Sequence, residues 1–360
     1  MRNILKRIIQ LVAFLVGLVL CIGLAAVAVV VYYNTPPPFS PDSALGEGIT
    51  VEDSAAEHTI VRFEVRKGES AHSVGQRLAD SGLIRNRYFW ALLCRLDKEP
   101  VKTGSYHIEV PAGQMAIHRI LVSGKQILMR VTIPEGLTLK KTAHLMEGLG
   151  VCSTEDFLAA ASGPEITGRY RIPGDSMEGY LYPDTYLFPP DYPAAMVVQT
   201  MADNFFDRIG EIDQRALAMS PDELNRLVIL ASIVEREYRL DEEAPVMAGV
   251  FFNRLKIGMA LQSCATVEYV ITEIQGRPHP DVLLTRDTEI RDPYNTYIRP
   301  GLPPGPISAP GAIALKAVFT PSENNYLYFR LVDPAVGRHY FSNTLDDHIK
   351  AGTLYVKGGP

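Results

Sequence analysis

The stretch 227–270, LVILASIVEREYRLDEEAPVMAGVFFNRLKIGMALQSCATVEYV, decides how the chain is read. It opens as a helix carrying Leu224, Leu227, Val228, Ala231 and Val234 at the three-and-four spacing of a buried face. Glu235 follows Val228 by seven residues and Ala231 by four. On a 3.6-residue helix that puts its carboxylate on the apolar face, while Arg236 and Glu237 turn away, Glu237 by about 200°. Apolar surroundings disfavour the charged form and raise a carboxyl pKa, which is what a general acid working near neutral pH requires. The plainer reading is that Glu235 closes the helix and pairs with Arg239 at i,i+4.

Working outward, the 360 residues leave room for two folded parts. From Ile8 to Tyr33 there is no charged residue, and Leu, Val, Ile and Ala dominate. That run is long enough to cross a hydrocarbon core of about 30 Å and too long for a cleaved signal peptide. Arg2, Lys6 and Arg7 precede it and no basic residue follows closely, so residues 1–33 are expected to be a retained inner-membrane anchor with its N-terminus in the cytoplasm. The formal charge is −6, and without those three basic residues the exported remainder carries about −9. An acidic ectodomain with no basic run speaks against nucleic acid as a partner. Of the four cysteines, Cys94, Cys152 and Cys264 lie beyond the anchor; three thiols cannot all pair within one chain and form no disulfide framework.

Residues 34–57 are proline-rich, then polar and acidic, and read as an extended tether. A small domain is expected over 58–132. Val61, Phe63 and Val65 alternate as a strand, helices follow over Ser70–Asp80 and after the candidate cap Asn86, and Tyr106, Ile108 and Val110 form a second strand. A short helix at Met115–Leu121 precedes a last strand through Ile127, Met129, Val131 and Ile133. The larger domain is expected over 133–356: IPEGLT with Thr138 as a helix cap, a helix capped by Thr154, and an aromatic loop over Glu178–Pro190. Helices then run over Ala194–Ile212, through Glu235, and from Ala244 to Ile257, with a hairpin formed by Tyr326–Val332 and His339–Ser342 near the end. Helices dominate and strands are segregated, so the class is α+β.

Several catalytic schemes are missing. There is no HExxH, GxSxG or Ser-x-x-Lys motif, no glycine-rich phosphate loop, and the eight histidines lack metal-ligand spacing. No cofactor and no metal are therefore expected. A carboxyl group on an apolar helix face, with Tyr, Asn, Gln and Thr nearby, suits glycosidic chemistry, in which an acid protonates the leaving oxygen. Gln262, Tyr294, Asn295 and Tyr297 are candidate groove residues, with hydrogen bonding between loops as their alternative role. Tyr180, Tyr182 and Tyr186 are candidates for stacking on sugar faces or, beside prolines, for core packing.

The motifs also carry resemblances. The strand–helix–helix–strand order of the small domain resembles the LysM module, which implies binding of N-acetylglucosamine-containing glycan; a packing subdomain without its own ligand is the alternative. ASIVEREY, FFNRLKIGMALQS, TVEYV, PYNTYIRPGLPPGPISAPG, YLYF and HYFSNTLDDH, preceded by IPEGLT and GYLYPDTYLF, follow the order typical of the MltG/YceG-like endolytic murein transglycosylases. This resemblance spans essentially the whole ectodomain. It implies a membrane-anchored lyase that cuts nascent peptidoglycan strands internally, with the first glutamate of the ASIVExE motif, Glu235, as catalytic acid and a peptidoglycan synthase as a further partner. The implied mechanism uses that one carboxyl group twice and leaves 1,6-anhydro ends. One departure stands out: the family usually has Asp-Pro where this chain has Cys264-Ala265. If that aspartate only caps the following helix, Ser263 can take its place. Two rivals remain at this point. One is a non-enzymatic glycan-binding scaffold; the other is a hydrolase using a second carboxylate, Asp292 or Asp184, near Glu235.

Overall fold

The computed structural model describes residues 2–40, 48–54, 59–97, 99–280 and 282–354. The chain divides into two compact units, Met1–Leu128 and Met129–Pro360.

In the first unit, α1 (Arg2–Asn34) contains an apolar run, Ile9–Asn34, long enough to cross a membrane. β1 (Ile49–Ser54) and β2 (Thr59–Val65) precede α2 (Ala71–Asp80), α3 (Arg87–Leu96), β3 (Gly104–Val110) and α4 (Gln114–Ser123). The strands form one antiparallel sheet in the order β1-β2-β3, with Val61 opposite Ile108 and Phe63 opposite Tyr106. The alternation in β2 thus turns Val61, Phe63 and Val65 into a core shared with Val74, Leu78 and Trp90. Burying each such side chain contributes about 1.5–3 kcal/mol. Asn86 caps α3 by accepting from the amides of Tyr88 and Phe89. Trp90 lies against Gly75, where a Cβ would come within 2.3 Å of its ring, and its indole N–H donates to the Ala71 carbonyl at 2.8 Å.

Two boundaries need correction. The tether expected over 34–57 does not persist through its length, because β1 pairs with β2; residues 41–47 and 55–57 of that tether lie outside the described residues, as do 355–356 of the expected larger domain. The strand expected to close the small domain, now β4 (Met129–Thr132), belongs to the second unit. Period-two alternation reports which face is buried and is silent about which strand lies alongside.

The second unit continues with α5 (Leu139–Gly148), α6 (Thr154–Ala160), α7 (Pro164–Arg169), β5 (Thr185–Phe188), α8 (Ala194–Ile212), α9 (Pro221–Glu237), α10 (Ala244–Lys256), α11 (Cys264–Tyr269), α12 (Ala312–Phe319), β6 (Tyr328–Asp333), β7 (Arg338–Ser342) and α13 (Leu345–Leu354). β4 pairs with β5 and β6 with β7, both antiparallel. The aromatic loop expected over Glu178–Pro190 therefore contains a strand. Ser153, rather than Thr154, caps α6.

α9 is the axis of this unit. Ser220 and Glu223 form a capping box around Pro221, which satisfies the first free amides. Val228 through Val234 are all buried. The helix is wrapped on every side along this segment, more than the single apolar face read from periodicity, because α10 and α12 pack on it. Its C-terminal end, carrying Glu235 to Glu237, emerges from that core.

Candidate active site

Glu235 is half-buried and lines a cavity of about 940 Å³ in the second unit. Its Oε2 accepts from the Gly311 N–H at 2.9 Å. Burial pushes its carboxyl pKa up to about 8, helped by the nearby Glu135 and opposed by that amide and by Arg236. No ion pair joins Glu235 to Arg239 among the described residues, since the helix stops at Glu237 and the i,i+4 geometry is lost.

Two loops deliver the surroundings. Ser232, one turn before Glu235 and fully buried, holds the first loop: its hydroxyl donates to the Ile229 carbonyl at 2.7 Å and accepts from the Ile307 N–H at 3.0 Å. The Ser308 hydroxyl donates to the Ser232 carbonyl at 3.1 Å. These bonds clamp the proline-rich 305–311 segment to α9 and bring the Gly311 amide to the acid. Gly179, in a left-handed conformation, lets Pro306 approach; a Cβ there would lie 2.4 Å from the proline ring. The second loop is the turn within IPEGLT. Gly136 N–H donates to Ala309 O and Ala309 N–H to Leu137 O, each at 2.8 Å, so the turn is stitched to the same segment. It brings Glu135 to the groove, a residue that sequence reasoning passed over.

Of the expected groove residues, Gln262 and Tyr297 line the cavity. Gln262 adopts φ 52°, an uncommon left-handed conformation for a side chain other than glycine, and its N–H donates to the Thr296 carbonyl at 3.1 Å. Asn295 does not reach the cavity. It is fully buried, its amide group donates to Thr288 and Ile290 carbonyls, and its oxygen accepts from the Tyr297 N–H at 2.9 Å. It thus sets the loop that presents Tyr297. Tyr294 packs on Tyr269, with ring centroids 5.1 Å apart, and also lies outside the lining. Tyr186 is a correction: it is 7% exposed, stacks on Phe188, and donates its hydroxyl to the Tyr182 carbonyl at 2.6 Å. Tyr180 and Tyr182 are buried as well. Aromatics beside prolines fill the core here and are not offered to a sugar.

Glu237 departs from the helical-wheel expectation. It lines the same cavity and accepts a hydrogen bond from the Ser263 hydroxyl; burial raises its pKa. Ser263 sits at the N-cap of α11 and makes no side-chain cap bond there, so it does not substitute for a capping aspartate. Cys264 Sγ lies 3.0 Å from the Tyr297 hydroxyl on the groove wall. Across the floor, Arg236 pairs with Glu268 at 3.0 Å. Arg254 is almost buried and donates to the Leu327 and Leu261 carbonyls, each at 2.6 Å, which ties the β6 approach to α10.

Asp184 and Asp292, the second carboxylates considered for a hydrolase, are engaged elsewhere. Asp184 accepts from Thr185 N–H and Asn204, and Asp292 accepts from the Tyr294 N–H; neither lines the cavity. Glu178 matches Glu235 in having its pKa raised to about 8 by burial, yet it faces the amide of Leu139 at the start of α5 with both oxygens. A shifted carboxyl group is thus no marker by itself. Glu237 also lines the cavity with a raised pKa but is taken up by the Ser263 hydroxyl, whereas Glu235 faces the cavity with, among the described residues, only the Gly311 amide bound to its carboxyl group. A proton donor with a backbone N–H beside it and polar walls around it can protonate a bridging oxygen and then hold the resulting carboxylate.

Comparison with known proteins agrees with this layout. A Bacillus subtilis protein described as an endolytic murein transglycosylase is 27% identical over 315 residues, covering 83% of this chain and 85% of its own length. A Streptococcus pneumoniae protein of the same description is 26% identical over 324 residues; the match takes in 80% of this chain and 57% of the pneumococcal protein. Among solved structures, a YceG-like protein of Listeria monocytogenes aligns with a TM-score of 0.55 and 28% identity, over 81% of this chain and 98% of its own. The model of the YceG-like family matches residues 63–353, nearly all of the chain beyond its apolar helix, and the chain belongs to that family.

Proposed function

We propose that this protein is an endolytic peptidoglycan lytic transglycosylase that cuts glycan strands between N-acetylmuramic acid and N-acetylglucosamine. The observation that carries the reading is the Glu235 carboxyl group, held protonated by burial at the edge of a large polar cavity. Protonated Glu235 gives its proton to the glycosidic oxygen as the C1–O bond breaks, and the leaving sugar keeps the bonding electrons. The muramoyl C6 oxygen then bonds to C1, and its proton passes to the Glu235 carboxylate. Acid and base are the same group, no water is consumed, and a 1,6-anhydro end remains. The Gly311 N–H steadies the carboxylate between the two transfers.

The apolar α1 supports an inner-membrane anchor, with the N-terminus cytoplasmic and the remainder outside, where the substrate is made. Acting close to the membrane, the enzyme would meet growing strands and set their length, in partnership with a peptidoglycan synthase. The β2-α2-α3-β3 order of the first unit supports a LysM-like module that holds glycan.

The test is product analysis. Uncrosslinked glycan strands treated with the wild type should gain anhydro-muramoyl ends by mass spectrometry, and Glu235→Gln should yield none. Reducing ends, heavier by one water, would make the protein a hydrolase. Strands bound but uncut would leave it a scaffold.

A further inference from the structure

Glu135 is a lining carboxylate that the mechanism above does not use, and its placement is built rather than incidental. The turn that carries it is stitched by two 2.8 Å backbone bonds to the segment that also supplies the Gly311 amide. Gly311 is the meeting point. Its N–H is 2.9 Å from Glu235 Oε2, while a Cβ on Gly311 would sit 1.8 Å from Glu135 Oε1. The Glu135 carboxyl group therefore fills the space that any side chain at 311 would take. Those two contacts and standard backbone geometry put the Glu135 and Glu235 oxygens within about 7 Å of each other. Gly136 adds to the closeness, since a Cβ there would already touch Glu235 Cγ at 3.7 Å and Arg236 Cδ at 3.5 Å. Among the described residues no hydrogen bond or ion pair takes up the Glu135 carboxyl group, whereas Glu237 and Glu268, the other lining acids, are held by Ser263 and Arg236.

Two carboxyl groups at this spacing beside one sugar-sized cavity divide labour in glycosidic chemistry: one gives the proton, the other faces the positive charge that develops on the ring. We infer that Glu135 is a second catalytic residue, whose negative charge faces the anomeric carbon and stabilises the oxocarbenium-like centre while Glu235 protonates the leaving oxygen. Glu135 takes no proton and forms no bond; the C6 oxygen still closes on C1 and its proton still goes to Glu235. The inference rests on the transglycosylase reading and adds to it a requirement for a second charge. A consequence follows for Glu235. The charged and titratable groups facing it are Glu135 from the turn, Arg236 and Tyr238 from its own helix and its cap, and Asp241 beyond. Glu135 and Asp241 are the negative ones arriving from outside the helix, and both help keep Glu235 protonated, Glu135 the more strongly.

The experiment uses the full chain in detergent, with uncrosslinked glycan strands as substrate, and compares wild type, Glu135→Gln, Glu135→Asp and Gly311→Ala. Glu135→Gln should lose about a hundredfold in kcat with KM little changed, the scale seen when one group aimed at developing charge is removed. Its residual activity should fall off at lower pH than the wild type, because Glu235 loses a negative neighbour. Glu135→Asp should recover part of the rate, and Gly311→Ala should mimic Glu135→Gln while melting near the wild type, since its new methyl group displaces only the end of an exposed side chain. Glu135→Gln within twofold of wild type at every pH overturns the inference, as does a change confined to KM. So does a loss of rate matched by a loss of melting temperature that Glu135→Asp fails to restore. The identity of the ends formed judges the lyase reading, and the wild-type-to-variant ratio judges Glu135. A wild type that forms no ends overturns both.

Discussion

Replacing Ser232 with alanine probes the clamp on which the site depends. Ser232 is fully buried, and its hydroxyl is the acceptor for the Ile307 N–H. Alanine leaves that amide inside the core with no partner, at a cost of about 1–3 kcal/mol. The bond the hydroxyl donates to Ile229 O is expendable, because that carbonyl keeps its place in the helix. Ser308→Ala is the control: it removes a bond to the Ser232 carbonyl but strands no donor, so it should cost less, about 0.5–1.5 kcal/mol. For a unit of this size each kcal/mol moves the melting temperature by roughly 2–4 °C. Ser232→Ala should therefore melt clearly below Ser308→Ala in far-ultraviolet circular dichroism. The single tryptophan, Trp90, lies in the first unit, so its fluorescence should report an unchanged transition there. A Ser232→Ala protein as stable as Ser308→Ala would refute the idea that this hydroxyl holds the loop.

Other outcomes follow from the same geometry. Burial holds the Glu235 pKa near 8, and the acid works protonated, so kcat should stay level up to that pH and then drop about tenfold per unit above it; a fall centred near pH 5 would show that burial does not govern this group. Glu178 keeps its proton in the folded state up to about pH 8 but releases it near 4.5 when unfolded, so it lowers stability as pH rises through that window. Glu178→Gln should match the wild type at pH 4 and exceed it in melting temperature at pH 9, and equal differences at both pH values would contradict this. Gly179→Ala meets both a φ of +82° and a 2.4 Å contact with Pro306, so it should destabilise by about 1–3 kcal/mol in denaturant titration and slow catalysis; a neutral result would mean that this loop is free to shift.

Glu235 was legible because it lies on a long helix whose apolar positions recur every three or four residues, and a carboxyl group on that stripe is conspicuous. The helices, the Asn86 and Thr138 caps and the β6–β7 hairpin came from equally local signals. What escaped is non-local. Glu135 sits in an exposed turn without periodicity, and its meaning depends on Gly311, far along the chain. β4 displays its buried face in sequence but not its partner β5. The 200° argument placed Glu237 away from Glu235, which holds for the middle of a helix. At a helix end that a groove wraps around, residues on opposite sides can face the same space. Tyr186 resembles a sugar platform in composition, and only its neighbours Phe188 and Asn204 reveal it as core.

Glu135, Glu235 and Gly311 converge from three distant segments, and the contacts among them need the segment carrying Gly311 to be docked on both α9 and the turn of Glu135. A chain folded only as far as α9 has the helix but not the Gly311 amide, which lies 76 residues beyond Glu235. For the peptidoglycan-cutting enzyme proposed above, late assembly is a safeguard: the blade is absent until these long-range contacts are made.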